Sequence, residues 1–452
     1  MKKLLLPVFL CMGMSAMAQN SLLSSPTTGT IMSLTMSKIH MVSNGTDVVL
    51  CIGDNTAIYA VDIVDNDASK AAANTITSIP NFVTDKLNPL VGQSVNVLDM
   101  EVNPISKSVY ILGQGGPAKY IFKVENNGAN VSIVDLSNAT YSLLSWKGSL
   151  AVNDITYGNN TLYVSSGDFS LNGELGWMAP PFAHNGTFTK RATTLFKSNW
   201  GGQYLTTAPL ETLTFGTVDG KNRLMGVTTC APGFSIDAAT LSGSGVLTVT
   251  EDFNVHQGQT KKVAFMHHDG KDWLFDLHDD KVYRIGKKYL DGSQVTANKY
   301  DNNATMLRDN TGKVAASLPA DDMKEMSTGT YTTMALWDNY RLLLLEKGTT
   351  GALTLSKMST ETPPPTSVTT VTNNTTVSIY PNPASNNVTI TLPQNEVNAT
   401  ATIISIDGKV VSSQKISAHK ATMNVSTLNA GIYTVNVTLS SGAVISNKLT
   451  VK

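Results

Sequence analysis

One pattern recurs between Lys38 and Met358, and it restricts the fold more than any other feature of the chain. An apolar run enters a polar turn; a second apolar run follows, then a short turn and a third run. The first copy has runs at 40–42, 47–52 and 57–61, with Ser43, Asn44, Gly45 and Thr46 as its first turn. The second has 97–102, the turn Asn103-Pro104, then 108–112 and 120–124. The third has 152–155, a turn at Gly158, Asn159 and Asn160, then 162–164, and a third run at 195–196 after a long insertion. The fourth has 213–215, a turn at 219–222, then 224–227 and 234–236. The fifth has 263–266, a turn at 269–272, then 273–275 and 282–285; the sixth has 334–336, a turn at 338–340, then 342–345 and 353–355. Short apolar runs separated by Asn, Asp and Gly are strands joined by tight turns. Copies recurring at roughly 50–70 residues point to repeated multi-stranded sheets. Radial stacking of such sheets buries both faces of each without long exposed edges. The expected fold is therefore all-β: a six-bladed β-propeller over residues 19–358. Seven blades is the alternative, residues 31–36 then adding a strand. No Trp-Asp series and no kelch double glycine marks a particular propeller family, so the likeness is architectural.

Composition agrees with an extracellular β-rich chain. Of 452 residues, 41% are hydrophobic and only 15% charged, and the net charge of −1 gives no basic surface for nucleic acid. Residues 1–18 read as a secretory signal: Lys2-Lys3, an apolar core from Leu4 to Met14, and Ala16-Met17-Ala18 as a cleavage site before Gln19. That core is too short to span a membrane, and no later stretch is long and apolar enough to be a transmembrane segment. Leu10 before Cys11 argues against a lipoprotein. Cys51 and Cys230 remain after cleavage; the repeat sets them far apart, so they are expected as two separate buried thiols. Residues 359–376 are rich in Thr and Pro and form an extended linker.

Residues 377–452 form a separate module. Along 432–439, Tyr433, Val435, Val437 and Leu439 share one face while Thr434, Asn436 and Thr438 share the other. About seven short strands, with Asp407-Gly408 as a hairpin turn, imply a small Ig-like β-sandwich. Tyr380-Pro381-Asn382-Pro383, the run at 388–390, Asp407-Gly408-Lys409, then Gly431 and Tyr433, then a final strand carrying Lys448, resemble the type A C-terminal sorting domain of the type IX secretion system. The resemblance implies a Bacteroidota-type export signal. It further implies recognition by the secretion machinery, removal by a sortase, and either anchoring to surface lipopolysaccharide or release. The protein would then be secreted or held at the outer-membrane cell surface.

Chemistry is less marked. First runs of the copies would line a central funnel, where Asp99, Glu101, Asp154, His267 and His268 are available. Carboxylates and imidazoles on one axis would hold a divalent cation; the alternative is that they are hydrogen-bonded at strand ends. No metal-ligand spacing, phosphate loop or nucleophile motif occurs, and Asp269, Asp272, Asp279 and Asp280 fall in turns. The insertion from Asp168 to Tyr204 carries Trp177, Trp200 and Tyr204, rings suited to a glycan or protein ligand unless they cap the core. The expected function is non-enzymatic binding of a ligand or partner at the surface. The alternatives are an extracellular hydrolase or lyase, acting on polysaccharide or a lactone with a funnel metal, and a structural surface-layer component.

Overall fold

The computed structural model describes residues 20–31, 35–55, 57–146, 151–168, 172–195, 209–229, 232–249, 251–255, 258–268, 270–292, 307–308, 313–315, 318–327, 329–360, 377–392, 398–405, 409–439 and 444–452. The signal segment, Cys230, Trp200, Tyr204, Asp407 and Gly408 lie outside them, as do residues 32–34 of the stretch considered for a seventh blade. The chain divides into two compact units, residues 1–361 and 362–452.

The described residues of the first unit form six antiparallel-based sheets of four or five strands, plus a short parallel pair between Leu23–Ser24 and Phe182–Ala183. Sheet I runs outward from Lys38–Ser43 through Val48–Gly53, Ala57–Asp62 and Ala139–Ser145 to Thr27–Gly29. Sheet II contains Val95–Val102, Val109–Gly115, Ala118–Glu125 and Asn130–Ile133. Sheet III contains Ala151–Gly158, Thr161–Gly167, Gly173–Met178 and Thr189–Leu195, with Leu247–Val249 added in parallel. Sheet IV has Thr214–Val218, Lys221–Val227, Pro232–Asp237 and Glu251–Asn254. Sheet V has Thr260–His268, Lys271–His278, Lys281–Gly286 and Met323–Glu325. Sheet VI has Thr330–Asp338, Arg341–Lys347, Leu353–Ser359 and, outermost, Ser78–Ile79. No sheet closes on itself. The architecture is all-β and propeller-like.

Local sequence accounts for the hairpins. Asn159-Asn160, Asp219-Gly220 and Asp279-Asp280 each have two successive residues at positive φ, the backbone of a two-residue hairpin that follows strand twist. The second strand of sheet I, Val48–Gly53, is a continuous apolar run with every residue buried. Such runs fit strands covered on both faces.

Apolar layers join the sheets in pairs. Ile39, Leu50 and Ile52 of sheet I pack with Tyr110 and Leu112 of II. Val49 and Ala60 of I pack with Val152 and Val164 of III, and Cys51 is a free buried thiol in this layer. Layers centred on Phe234, Phe253, Phe275 and Phe122 join III to IV, IV to V, V to VI, and VI to II. The first strands follow the same circuit: II lies against I, I against III, III against IV, and so on to VI, which lies against II.

That circuit departs from chain order. Sheet II is inserted between the third and fourth strands of sheet I, and it packs on the side of I away from III. Residues 63–77 form a strap between sheet I and the outer edge of sheet VI. Asp65 fastens the strap to sheet II, accepting from Tyr110 Oη at 2.9 Å, Ser106 Oγ at 2.9 Å and Asn103 Nδ2 at 3.2 Å. Asn74 does the same, donating to the Ser106 carbonyl at 2.8 Å and accepting from the Asn126 N–H at 2.8 Å. After sheet II the chain returns to pair Ala139–Ser145 with Ala57–Asp62.

Sheet III corrects the reading of an insertion at 168–204. Its third strand is Gly173–Met178, and Thr189–Leu195 is the fourth, not the third. Much of that stretch is sheet.

The second unit pairs a three-stranded sheet, Ser378–Tyr380 with Asn387–Thr391 with Lys420–Asn424, and a four-stranded one. The latter orders Val410–Ile416, Ala399–Ile404, Gly431–Leu439 and Val444–Val451. Val388, Ile390, Ile403, Val435 and Leu449 form the core between them.

Candidate functional site

Four of the six first strands carry a β-bulge at the same place. The register slips between Val97 and Asp99, Val152 and Asp154, Thr260 and Lys262, and Tyr331 and Thr333. A bulge re-aims the side chain that follows it. Asp99, Asp154, Lys262 and Thr333 therefore occupy equivalent inner positions.

Two of these carboxylates tie one sheet to the next. Asp99 Oδ2 accepts from the Ile39 N–H of sheet I at 3.0 Å. Asp154 Oδ2 accepts from the Leu213 N–H beside sheet IV at 2.8 Å. Lys262 spans farther, from sheet V to sheet II, which are not neighbours in the circuit. Its Nζ donates to Asp99 Oδ1 at 2.6 Å, to the Met100 carbonyl at 2.9 Å and to Glu101 Oε1 at 2.6 Å. His40 Nδ1 lies 3.6 Å from the same Glu101 oxygen.

Charge follows the geometry. Burial alone would raise the Glu101 carboxyl, but Lys262 and His40 outweigh it and bring it to about 2. Burial would lower the Lys262 ammonium, yet Asp99, Glu101 and Asp154 push it up. Asp154 is raised by burial, against Lys38 and Lys262. Asp99 and Glu101 share Lys262, and Asp154 borders the same recess as Glu101 and Lys262. The positive charge beside Asp99 and Glu101 is an ammonium of the chain itself.

The cluster separates two recesses. One, about 760 Å³, is bordered by Asn96, Asp99, Gln259, Thr260 and Thr333. The other, about 340 Å³, is bordered by His40, Glu101, Asp154, Lys262 and Trp337.

His267 and His268 stand apart from this cluster, a correction to the five-residue funnel. His267 is exposed and its Nδ1 lies 2.5 Å from Asp272 Oδ1 across its own hairpin. His268 is buried, its ring 4.9 Å from that of Tyr340. Among the described residues no group of three His, Cys, Asp or Glu is arranged to hold a metal. Lys262 was missed because a lysine beside Lys261 reads as a solvated strand end. Aligning the copies on Asp99-Met100, Asp154-Ile155 and Lys262-Val263 would have found it.

Trp177 is half-buried on the third strand of sheet III, opposite Tyr163. It borders a recess of about 590 Å³ between sheets III and IV.

In the C-terminal unit the motif residues hold the last strand. Asn382 Nδ2 donates to the Lys448 carbonyl at 2.6 Å and Asn382 Oδ1 accepts from the Thr450 N–H at 2.9 Å. Pro381 and Pro383 flank it, both following cis peptide bonds. Tyr433 Oη donates to the Asn429 carbonyl at 2.8 Å, Gly431 pairs with Val451, and the Lys409 carbonyl accepts from the Ser405 N–H at 2.9 Å. Tyr380 is exposed.

Residues 378–452 match the family model described as "Secretion system C-terminal sorting domain". This unit is a type IX sorting domain. The sorting domain marks the chain for export through that system. No helix among the described residues is long and apolar enough to cross a membrane.

Among solved structures, PorZ of Porphyromonas gingivalis, described as an essential surface component of the type IX secretion system, aligns at 12% identity over 93% of this chain, with a TM-score of 0.32. The alignment spans 60% of PorZ. The β-propeller domain of Cps50 (Swd1) from Myceliophteria thermophila aligns at 10% identity over 74% of this chain and 99% of that one, TM-score 0.31. YCF48, solved with a D1 peptide, aligns at 8% identity over 75% and 96%, TM-score 0.32. At these scores none of the three carries an argument about this chain. No curated protein matches it in sequence.

Proposed function

We infer that the chain is a surface-displayed or released binding protein, a six-bladed propeller delivered by its sorting domain and acting without catalysis. The circuit of apolar layers supports six blades, with sheet II filling the place between I and VI. The Lys262 contacts support binding over catalysis. A funnel hydrolase or lyase needs carboxylates free to hold a metal or move a proton. Here Asp99 and Glu101 are both ion-paired with Lys262, and Asp99 and Asp154 also fix the backbone N–H groups of Ile39 and Leu213.

Metal analysis of the purified full chain, with Glu101→Gln as the comparison, tests this. The binding reading expects no stoichiometric divalent metal in either protein and no release of reducing ends from polysaccharides. A bound equivalent of metal that Glu101→Gln abolishes would overturn it in favour of the hydrolase or lyase.

A further inference from the structure

The recess between sheets III and IV lies away from the funnel and combines one flat ring with neutral polar groups. Trp177 gives it an aromatic surface. Behind it the Tyr163 ring is buried and stacks on Phe215, with centroids 5.9 Å apart and planes 9° off parallel, so the surface rests on a packed core. Asn159 sits exposed in a positive-φ turn on one side. Asn222 stands on the other; its Oδ1 faces the Thr217 hydroxyl at 3.0 Å, and its amide nitrogen has no partner among the described residues. Asp237 accepts the Ala239 N–H on Oδ1 at 3.0 Å, leaving its second oxygen for a ligand. Lys221 on the same rim balances the Asp237 charge.

We propose that this recess is a subsite for a neutral glycan, with Trp177 stacking on a sugar ring and Asn159, Asn222 and Asp237 taking its hydroxyls. An indole face accepts the C–H face of a pyranose, and carboxamides and a carboxylate match adjacent hydroxyls. Ligand cavities run from roughly 300 to 1,000 Å³, and this one holds about 590 Å³, room for more than a single sugar. A nucleic acid or acidic polymer would require a basic lining, and the charges here cancel. The proposal rests on the binding reading and adds the ligand class to it.

Affinity electrophoresis of the full chain in native gels tests it, with a neutral β-glucan, an α-glucan, a mannan and a xylan as probes and polygalacturonate as the acidic control. At least one neutral polymer is expected to retard the protein and the acidic one is not. Trp177→Ala should weaken retardation about tenfold or more, as for an aromatic hot spot, while Trp177→Phe keeps most of it. Because Trp177 also touches the core, the surface pair Asn159→Gly/Asn222→Ala provides a second reading, glycine tolerating the positive φ at 159, and should weaken retardation at little changed melting temperature. Retardation by a neutral polymer that survives both variants overturns the recess as the site. No retardation by any neutral polymer, or retardation by polygalacturonate alone, overturns the ligand class; the metal test of the binding reading stands apart from either result.

Discussion

A single lysine joins sheets V and II, which are not neighbours in the circuit. Removing one partner of a buried pair leaves the other charge uncompensated, at a cost of about 3–5 kcal/mol. Lys262→Met is expected to destabilise the first unit by about that amount in denaturant titration, and adding Glu101→Gln should recover part of it. Equal stability of Lys262→Met and the parent would show the contacts to be incidental. Glu101 and the strap's Asp65 set an acid limit. Burial would raise Asp65, but Lys123 and the hydroxyls of Tyr110, Ser106 and Ser108 hold it below its usual value; Glu101 is likewise depressed, to about 2. A depressed carboxyl contributes stability that is present above its unfolded pKa of about 4 and is lost as pH falls toward the folded value. Burial raises Asp154 and Asp276, the latter to about 7, so melting temperature should decline gently as pH rises toward 7, while through Asp65 and Glu101 it should fall steeply as pH drops from about 4 to 2. Glu101→Gln should flatten that fall. The carboxylates were legible in the sequence because two copies place an aspartate at the same step, Asp99 and Asp154. Their role was not, because hydrogen bonds to another sheet's backbone leave no mark on local pattern.

At the scale of elements, strands with β-branched and aliphatic runs were readable and glycine-rich ones were not. Gly173–Met178 carries two glycines, which strands disfavour. Gly176 is there for packing: a Cβ on it would sit 2.5 Å from the Trp146 ring. Ser78–Ile79 is only two residues long and pairs across the chain with Leu353–Ser359, so no periodicity announces it. This short strand fastens the strap to sheet VI, and Gly128 makes room for it. Gly128 has φ +79°, and a Cβ there would lie 2.3 Å from Ile79 Cδ1. Gly128→Ala should cost about 1–2 kcal/mol from backbone strain and further crowd Ile79. It should speed hydrogen exchange across residues 63–79. Gly45→Ala, at φ +90° with open space around it, provides the strain-only control. Equal exchange at 63–79 in both variants would count against the strap being fastened there.

The whole chain reads as two units with separate tasks. The sorting domain was legible because several motifs fall in a fixed order, and its Asn382 and Tyr433 contacts give those motifs a structural reason. The circuit of the first unit was not, since each copy looks alike wherever it sits; placing sheet II between I and VI takes long-range contacts that a repeat pattern does not encode. The most direct measurement compares the full chain with one ending at residue 376, both expressed in a host that carries the type IX system, by proteinase treatment of intact cells and assay of the medium. The full chain is expected to be digested on the cell surface or found in the medium, while the shortened chain stays folded and protected inside the outer membrane. A shortened chain that reaches the surface or medium as readily as the full one would contradict that expectation.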